Sequence, residues 1–291
     1  MARGYTARKL EVYSLHASTD GGQVAYSSLF RVLASTPPEN RAQVRGDGLV
    51  ALPTLTLSRG SAWLIADEGA VGVNPLIFNS LQARERIQRL RSGEIVAHKT
   101  HALIDLNSRQ GIIEYNHRGA KATDLAAVIE ETARQDTRFQ SLTVELNPVA
   151  DEEFVRAIDR FKRIRVASLR VARPNPDWTD YYNHLTALAN ESDARTVEVT
   201  LNAERGDSLP HNKGVVGIIK DLVAAATPIL KGASLSGMRR GEAAETTISL
   251  ANHIEHQRVS VRLTDDGHVR DDDIRARMQD YLDSRSRRHV R

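Results

Sequence analysis

The 291-residue chain contains no cysteine. This excludes a disulfide framework, a cysteine nucleophile and thiolate metal sites, and it fits a reducing compartment. The chain also lacks any apolar run of the ~20 residues that a membrane-spanning helix needs. Its most apolar stretch, Gly214 to Leu230, is broken in the middle by Lys220 and Asp221. The opening MARGYTARKL is positively charged but leads into no apolar segment, so it does not read as a secretory signal. A soluble, cytoplasmic protein without direct membrane insertion is expected. Several catalytic signatures are missing too. Gly214 to Lys220 lacks the paired glycines before Lys-Ser/Thr that a P-loop requires. There is no GxSxG elbow, no HExxH and no acidic-acidic-x-Lys arrangement of a metal nuclease. No cofactor is implied. Internal repeats and low-complexity segments are absent.

Charge of one sign is also in short supply. The 40 Lys and Arg residues face 37 Asp and Glu, leaving a net charge of +3. That excess does not announce nucleic-acid binding, so any basic footprint must come from local clustering. Most of the cations are arginine, whose planar fork grips phosphate bidentately. The arginine bias of a GC-rich genome explains their abundance equally well.

What is present is ordinary globular composition, with 41% apolar and 26% charged residues. The length suggests two domains. Alternating apolar residues predict a first strand over Lys9 to His16. A short helix is expected around Val24 to Leu33. Strands follow over Leu49 to Leu57 and Ala62 to Ala66, joined by the hairpin turn Ser58-Arg59-Gly60-Ser61. The run LQARERIQRLR, from Leu81 to Arg91, is ambiguous in pattern, a helix with Leu81, Ile87 and Leu90 inward being one reading. Two strands, Ala102 to Leu106 and Ile112 to Tyr115, precede a helix capped by Thr123. Leu125, Val128 and Ile129 mark its buried face, with Thr132 where that face turns polar.

From Gln140 the chain alternates strand and helix. Leu142, Val144 and Leu146 point one way, and a helix from Asp151 to Phe161 leads to a strand over Ile164 to Val171. A helix after Pro174-Asn175-Pro176-Asp177 carries Trp178, Tyr181, Tyr182, Leu185 and Leu188 on one face. Strands are expected at Val197 to Leu201, Ala233 to Met238, Thr246 to Ala251 and Arg258 to Thr264. Between them lies an almost wholly apolar helix, Gly214 to Thr227, expected at the centre of the fold. The last helix opens on Asp271, Asp272 and Asp273, suited to its positive dipole end, and runs out into a basic tail, Ser284 to Arg291. Tight turns between neighbouring strands, with helices at irregular intervals, predict an α+β fold of mixed, largely antiparallel sheets with packed helices. Two domains are expected, 1–137 and 138–291, the second carrying a basic hairpin and the C-terminal helix.

Two patterns carry possible chemistry. His16-Ala17-Ser18 and His98-Lys99-Thr100 each read His-x-Ser/Thr after a strand and resemble the paired motifs of two-histidine phosphoesterases. There one histidine serves as general base and the other as general acid on a phosphodiester. Ala17 suits the motif's apolar middle position and Lys99 does not. The pairs His98/His101 and His253/His256 have zinc-ligand spacing, but at strand edges residues three apart face opposite ways. No metal site is expected. The second pattern is basic clustering. Arg84, Arg86, Arg89 and Arg91 form one group, and Lys162, Arg163, Arg165, Arg170 and Arg173 another, with Arg163 and Arg165 on one strand face. Lys231, Arg239 and Arg240 sit on a hairpin, and Arg285, Arg287, Arg288 and Arg291 in the tail. Each group alone also fits a solvated surface. The set chosen as DNA contacts is Lys162, Arg163, Arg165, Lys231, Arg239 and Arg240, since phosphate contacts need such side chains.

The order of elements supplies a resemblance. The opening strand KLEVYSL, the pair ALIDL and GIIEYN before the Thr123-Asp124-Leu125 helix, the strings SLTVELNP, RIRVASLRV and TVEVTLNA, and the closing ASLSGMRR and TTISLAN resemble the arrangement of the lambda RexA phage-exclusion proteins. The KwaB component of the Kiwa defence system is a related possibility. The resemblance implies a cytoplasmic, homodimeric, non-catalytic DNA-binding protein that senses phage infection and acts through a small membrane-protein partner. It carries over no functional residue. A homodimer with Arg239 and Arg240 lining a shared basic groove is therefore the expectation. A phosphoesterase using His16 and His98, or a structural interaction protein, is the alternative.

Overall fold

The computed structural model describes residues 4–20, 22–172, 194, 196–227, 229–242 and 244–289. Among these, the fold is α+β, with antiparallel sheets and packed helices. The expected helix over 177–188 lies outside the described residues.

The organising element is β1 (Tyr5–Thr19). Leu10 and Val12 enter one core while Leu15 and Ala17 enter another on the opposite face. One edge of β1 pairs with β9 (Gln110–Tyr115). The other edge is shared. Tyr5 to Glu11 pair with β15 (His256–Arg262), and Tyr13 to Ser18 with β10 (Thr143–Pro148). The sheet continues from β9 through β8 (His98–Asp105), β5 (Ser61–Ala70) and β4 (Gly48–Ser58) to β3 (Ala42–Arg45). The β4–β5 hairpin turns at Arg59 and Gly60, at φ of 46° and 84°. Two successive positive φ values are the type I′ geometry whose twist matches that of the strands, as the Ser58–Ser61 turn chemistry predicts.

Helices cover both faces of this sheet. On one side lie α1 (Tyr26–Ser35) and α2 (Ala122–Arg134), burying Leu29, Phe30, Leu33, Leu125, Val128 and Ile129. Helix α2 starts two residues earlier than expected. Lys121 is its cap, with the Asp124 carboxylate accepting the Lys121 amide at 2.9 Å. Thr132 is buried rather than marking a polar turn of the face. On the other side lies α5 (Asp271–His289), which seats Ile274, Met278, Tyr281 and Leu282 against Leu10, Val12, Trp63 and Leu103.

A third core belongs to a second, four-stranded sheet, in the order β12 (Thr196–Asn202), β11 (Phe161–Ala172), β13 (Leu230–Arg239) and β14 (Glu245–Ser249). Helices α3 (Glu152–Asp159), capped by the Asp151 carboxylate, and α4 (Gly214–Ala224) cover it. Helix α4 buries Val215, Val216, Ile219 and Leu222. The chain enters this body after β10 and leaves it before β15, two strands that lie end to end along one edge of β1. The crossings are hydrogen bonded to each other: the Val149 amide donates to Val12 O at 3.0 Å, Val12 to Glu255 O at 2.9 Å and Glu255 to Val149 O at 2.8 Å. The elements therefore do not divide at 137/138. A single cut there would remove β10, β15 and α5 from the sheet they complete.

Two further expectations are corrected. Leu81 to Arg91 is not helical. It belongs to a two-stranded ribbon, β6 (Leu76–Asn79) with β7 (Arg84–Ile87). The Asn79 carboxamide accepts the amides of Leu81 and Gln82 at 3.0 and 3.2 Å, and Ala83 adopts a φ of 49°, which turns the chain back on itself. The basic tail is also not a tail up to His289, because α5 continues through it. Arg285 is 1% exposed and grips Glu255 with two nitrogens, each at 2.7 Å, and it also meets Gln110 Oε1. Removing one partner of a buried pair leaves the other uncompensated. Arg285→Ala should lower stability by about 3 kcal/mol, read as a drop in the urea midpoint, whereas Arg287→Ala on the exposed side should change it by less than ~0.5 kcal/mol.

Candidate nucleic-acid interface

The structure brings together five of the six cations expected to contact DNA. Phe161, at the start of β11, pairs with Arg239, at the end of β13. Lys162, Arg163, Arg165, Arg239 and Arg240 consequently gather at one end of the second sheet. The Arg240 amide donates to Arg160 O at 3.1 Å and ties the hairpin tip to the α3–β11 corner. Register shifts between Phe161 and Arg163 and between Ile164 and Val166 interrupt the alternation of β11. Buried positions fall at Phe161, Ile164 and Ala167, so the simple period that would put Arg163 and Arg165 on one face is lost. Gly237 makes the close approach possible, since a Cβ there would lie 2.0 Å from Arg163 O.

These cations are not equivalent. Arg165 pairs with Glu245 at 2.8 Å. Arg239 lies over the Phe161 ring, 5.8 Å from its centroid, with Glu242 at 3.9 Å. Among the described residues, the exposed Lys162 and Arg240 and the half-buried Arg163 have no ion-pair partner. Arg240 also acts on His211. Burial pushes the His211 imidazole below its ordinary pKa and nearby Lys220 and Arg240 add to this, while Asp159 opposes. Acidic neighbours temper the patch, with Glu153 3.5 Å from Arg160.

Lys231 stands apart. It sits at the opposite end of β13, where its ammonium pairs with Glu145 of β10 and donates to Thr196 Oγ1 at 2.8 Å. Its role is to join the two sheets, and its charge is neutralised there. The Arg84–Arg91 group is on the exposed ribbon and its flank. Arg170 is exposed beside Gly232, Arg173 lies outside the described residues, and so do the side chains of Arg288 and Arg291.

The two histidines of the phosphoesterase reading are not brought together. Through β9, His98 falls level with Ala7 of β1, nine residues along the strand from His16. At ~3.3 Å per residue that is roughly 30 Å. The two also face opposite ways: His16 shares the parity of Leu10 and Val12, and His98 that of Ala102 and Ile104, which point into different cores. No single phosphodiester lies within reach of both. His16 is instead buried opposite Glu145.

Sequence reasoning did not assemble one polar cluster. His101, on the face opposite His98, lies between two carboxylates, with Nδ1 2.6 Å from Glu114 and Nε2 2.9 Å from Asp271 at the start of α5. Arg8 approaches Glu114 at 2.8 Å. The His101 ring stacks on Trp63 at 5.6 Å, and Arg275 covers Trp63 at 5.5 Å. Burial alone would raise the Asp271 carboxyl, but hydrogen bonds from His101 and Lys99 outweigh it and hold the pKa below the usual range. With both ring nitrogens occupied, His101 has no free site for acid–base work. The cluster clasps α5 to the sheet beside a recess of about 220 Å³ lined by Arg8, His98, Lys99, Asn116 and His268. The signal was partial, because His101 stood out in the sequence but Glu114 and Asp271 are separated from it by 13 and 170 positions.

No family model matches the chain, and no curated protein matches it either.

The buried His16 makes stability depend on pH. Burial lowers its pKa below 6.5, Lys231 and Arg109 lower it further, and Glu145 opposes them. The unfolded chain then binds the extra proton first, so stability is complete above pH 6.5 and falls as the pH drops below it. His16→Gln should flatten the urea-midpoint profile between pH 6.5 and 5, where His211, also lowered by burial, contributes in the same sense.

Proposed function

We propose that this chain is a non-catalytic DNA-binding protein that holds the phosphate backbone with the cationic end of its second sheet. The observation that carries the reading is the trio Lys162, Arg163 and Arg240. Among the described residues these cations have no ionic partner, and β11 and β13 gather them from positions ~80 residues apart, with Arg165 and Arg239 beside them. Free cations on a fixed scaffold suit phosphate, whereas reading bases needs contacts that reach into a groove. Binding is accordingly sequence-independent. A role in phage exclusion, a homodimer offering two such ends around a two-fold axis, and a small membrane-protein effector belong to this proposal through the RexA-like order of elements. The separation of His16 from His98 removes the geometric support for the phosphoesterase alternative.

Fluorescence anisotropy on duplex DNA at several salt concentrations tests the reading. Affinity should fall with salt at a slope of about −0.9 per phosphate neutralised. Lys162→Ala with Arg240→Ala removes two exposed side chains, so stability should move by less than ~0.5 kcal/mol. Affinity should drop for all sequences and the slope should flatten by up to about two. Absence of binding at low salt, or a salt-independent affinity, contradicts the proposal.

A further inference from the structure

The connection between β5 and β8 leaves the body of the protein as an arm. Almost every residue from Val71 to Ala97 is exposed. Its core is the β6–β7 ribbon, in which Leu76 pairs with Ile87, Ile77 with Arg86, Phe78 with Glu85 and Asn79 with Arg84. One face therefore carries Leu76, Phe78, Ile87 and Glu85, and the other Ile77, Asn79, Arg84 and Arg86. Leu76, Phe78 and Ile87 are each about 60% exposed, and Leu81 at the tip is 96% exposed. A two-stranded ribbon of this length is marginal in water by itself, and apolar side chains concentrated on one outlying element mark a contact surface.

The two edges of the ribbon differ. The β7 edge reads Arg-Glu-Arg-Ile, with charges that guard against strand pairing. The β6 edge reads Leu-Ile-Phe-Asn and carries no charge. Both edges are unpaired among the described residues. We propose that β6 is the contact surface for a second copy of this chain, pairing antiparallel with β6 of that copy about a two-fold axis through Ile77. The sequence is self-complementary in that register. Leu76 lies opposite Phe78 of the partner and Ile77 opposite its own counterpart, while Arg84, Glu85 and Arg86 all sit on the outer strands. Two-fold pairing of β7 about Glu85 would instead place Arg84 opposite Arg86 of the other copy, and like charges directly opposed are destabilising. The result is a four-stranded ribbon whose central apolar pairs shield one another. Arg84 and Arg86 of both copies share its other face. The inference does not depend on the DNA reading.

Sedimentation of the full chain tests it, with charge swaps that address the homotypic contact. The wild type should be a dimer. Ile77→Lys opposes two lysines and should give monomers, and Ile77→Glu should do the same with two carboxylates. An equimolar mixture of the two variants should recover the dimer. Because the chain has no cysteine, Ile77→Cys introduces a single thiol. It should cross-link to itself with a short bifunctional maleimide, while Arg86→Cys, two strands further from its counterpart, should not. Far-UV and near-UV circular dichroism of each variant should match the wild type, since Ile77 belongs to none of the three cores. A monomeric wild type overturns the proposal. So does a dimer that survives Ile77→Lys, or a mixture of Lys and Glu variants that stays monomeric.

Discussion

The rest of the structure depends on the divided edge of β1. Its first seven residues take β15 and Tyr13 to Ser18 take β10, and the two strands meet at Val12. The three hydrogen bonds among Val12, Val149 and Glu255 close that meeting point. The chain leaves the first sheet at Ala150 and returns at Ile254, which form a bridge beside it. The second sheet is thereby a long excursion between neighbouring strands of the first. Glu255 is committed twice. Its backbone bridges the junction, and its carboxylate receives Arg285 from the last turns of α5. The same point that launches the second body also anchors the C-terminal helix. Lys231 and Glu145 add a second tie, from β13 to β10. The end of β13 that carries Arg239 and Arg240 is left free on the far side.

This arrangement separates tasks along the chain. The first sheet is covered by α1 and α2 on one face and α5 on the other. Two of its buried polar groups are paired across long separations: His101 with Glu114 and Asp271, and Arg285 with Glu255. Lys162, Arg163 and Arg240 lie together where β11 begins and β13 ends, and exposed apolar side chains collect on the β6–β7 ribbon. The two exposed regions differ in chemistry because each is built by a different device. Bulges in β11 push cations out at a sheet end. A long connection between β5 and β8 carries Leu76, Ile77 and Phe78 away from any core.

Much of the fold was legible in the sequence because it rests on local pattern. The alternation of Leu142, Val144 and Leu146, the Arg59-Gly60 turn and the Ile274, Met278, Tyr281 and Leu282 face each express a period or a backbone preference held within a few residues. The misreadings share a different cause. LQARERIQRLR has helical spacing, but no apolar surface receives a helix there, and Asn79 and Ala83 supply a turn instead. Arg285 and Lys231 looked like free cations because their partners, Glu255 and Glu145, lie 30 and 86 residues away. Arg163 and Arg165 lost their shared face to bulges that leave no mark in composition. The division of the chain was missed because an excursion that begins and ends on adjacent strands shifts neither composition nor charge.

Amide hydrogen exchange on the intact chain tests the junction most directly. If the three-way contact holds both bodies together, the amides of Val12, Val149 and Glu255 exchange only through global unfolding. Their protection should equal that of the β1–β9 ladder and fall with urea at the same slope, while the β6–β7 ribbon exchanges far faster. Junction amides that exchange by local opening, with protection nearer that of the ribbon, would contradict the account.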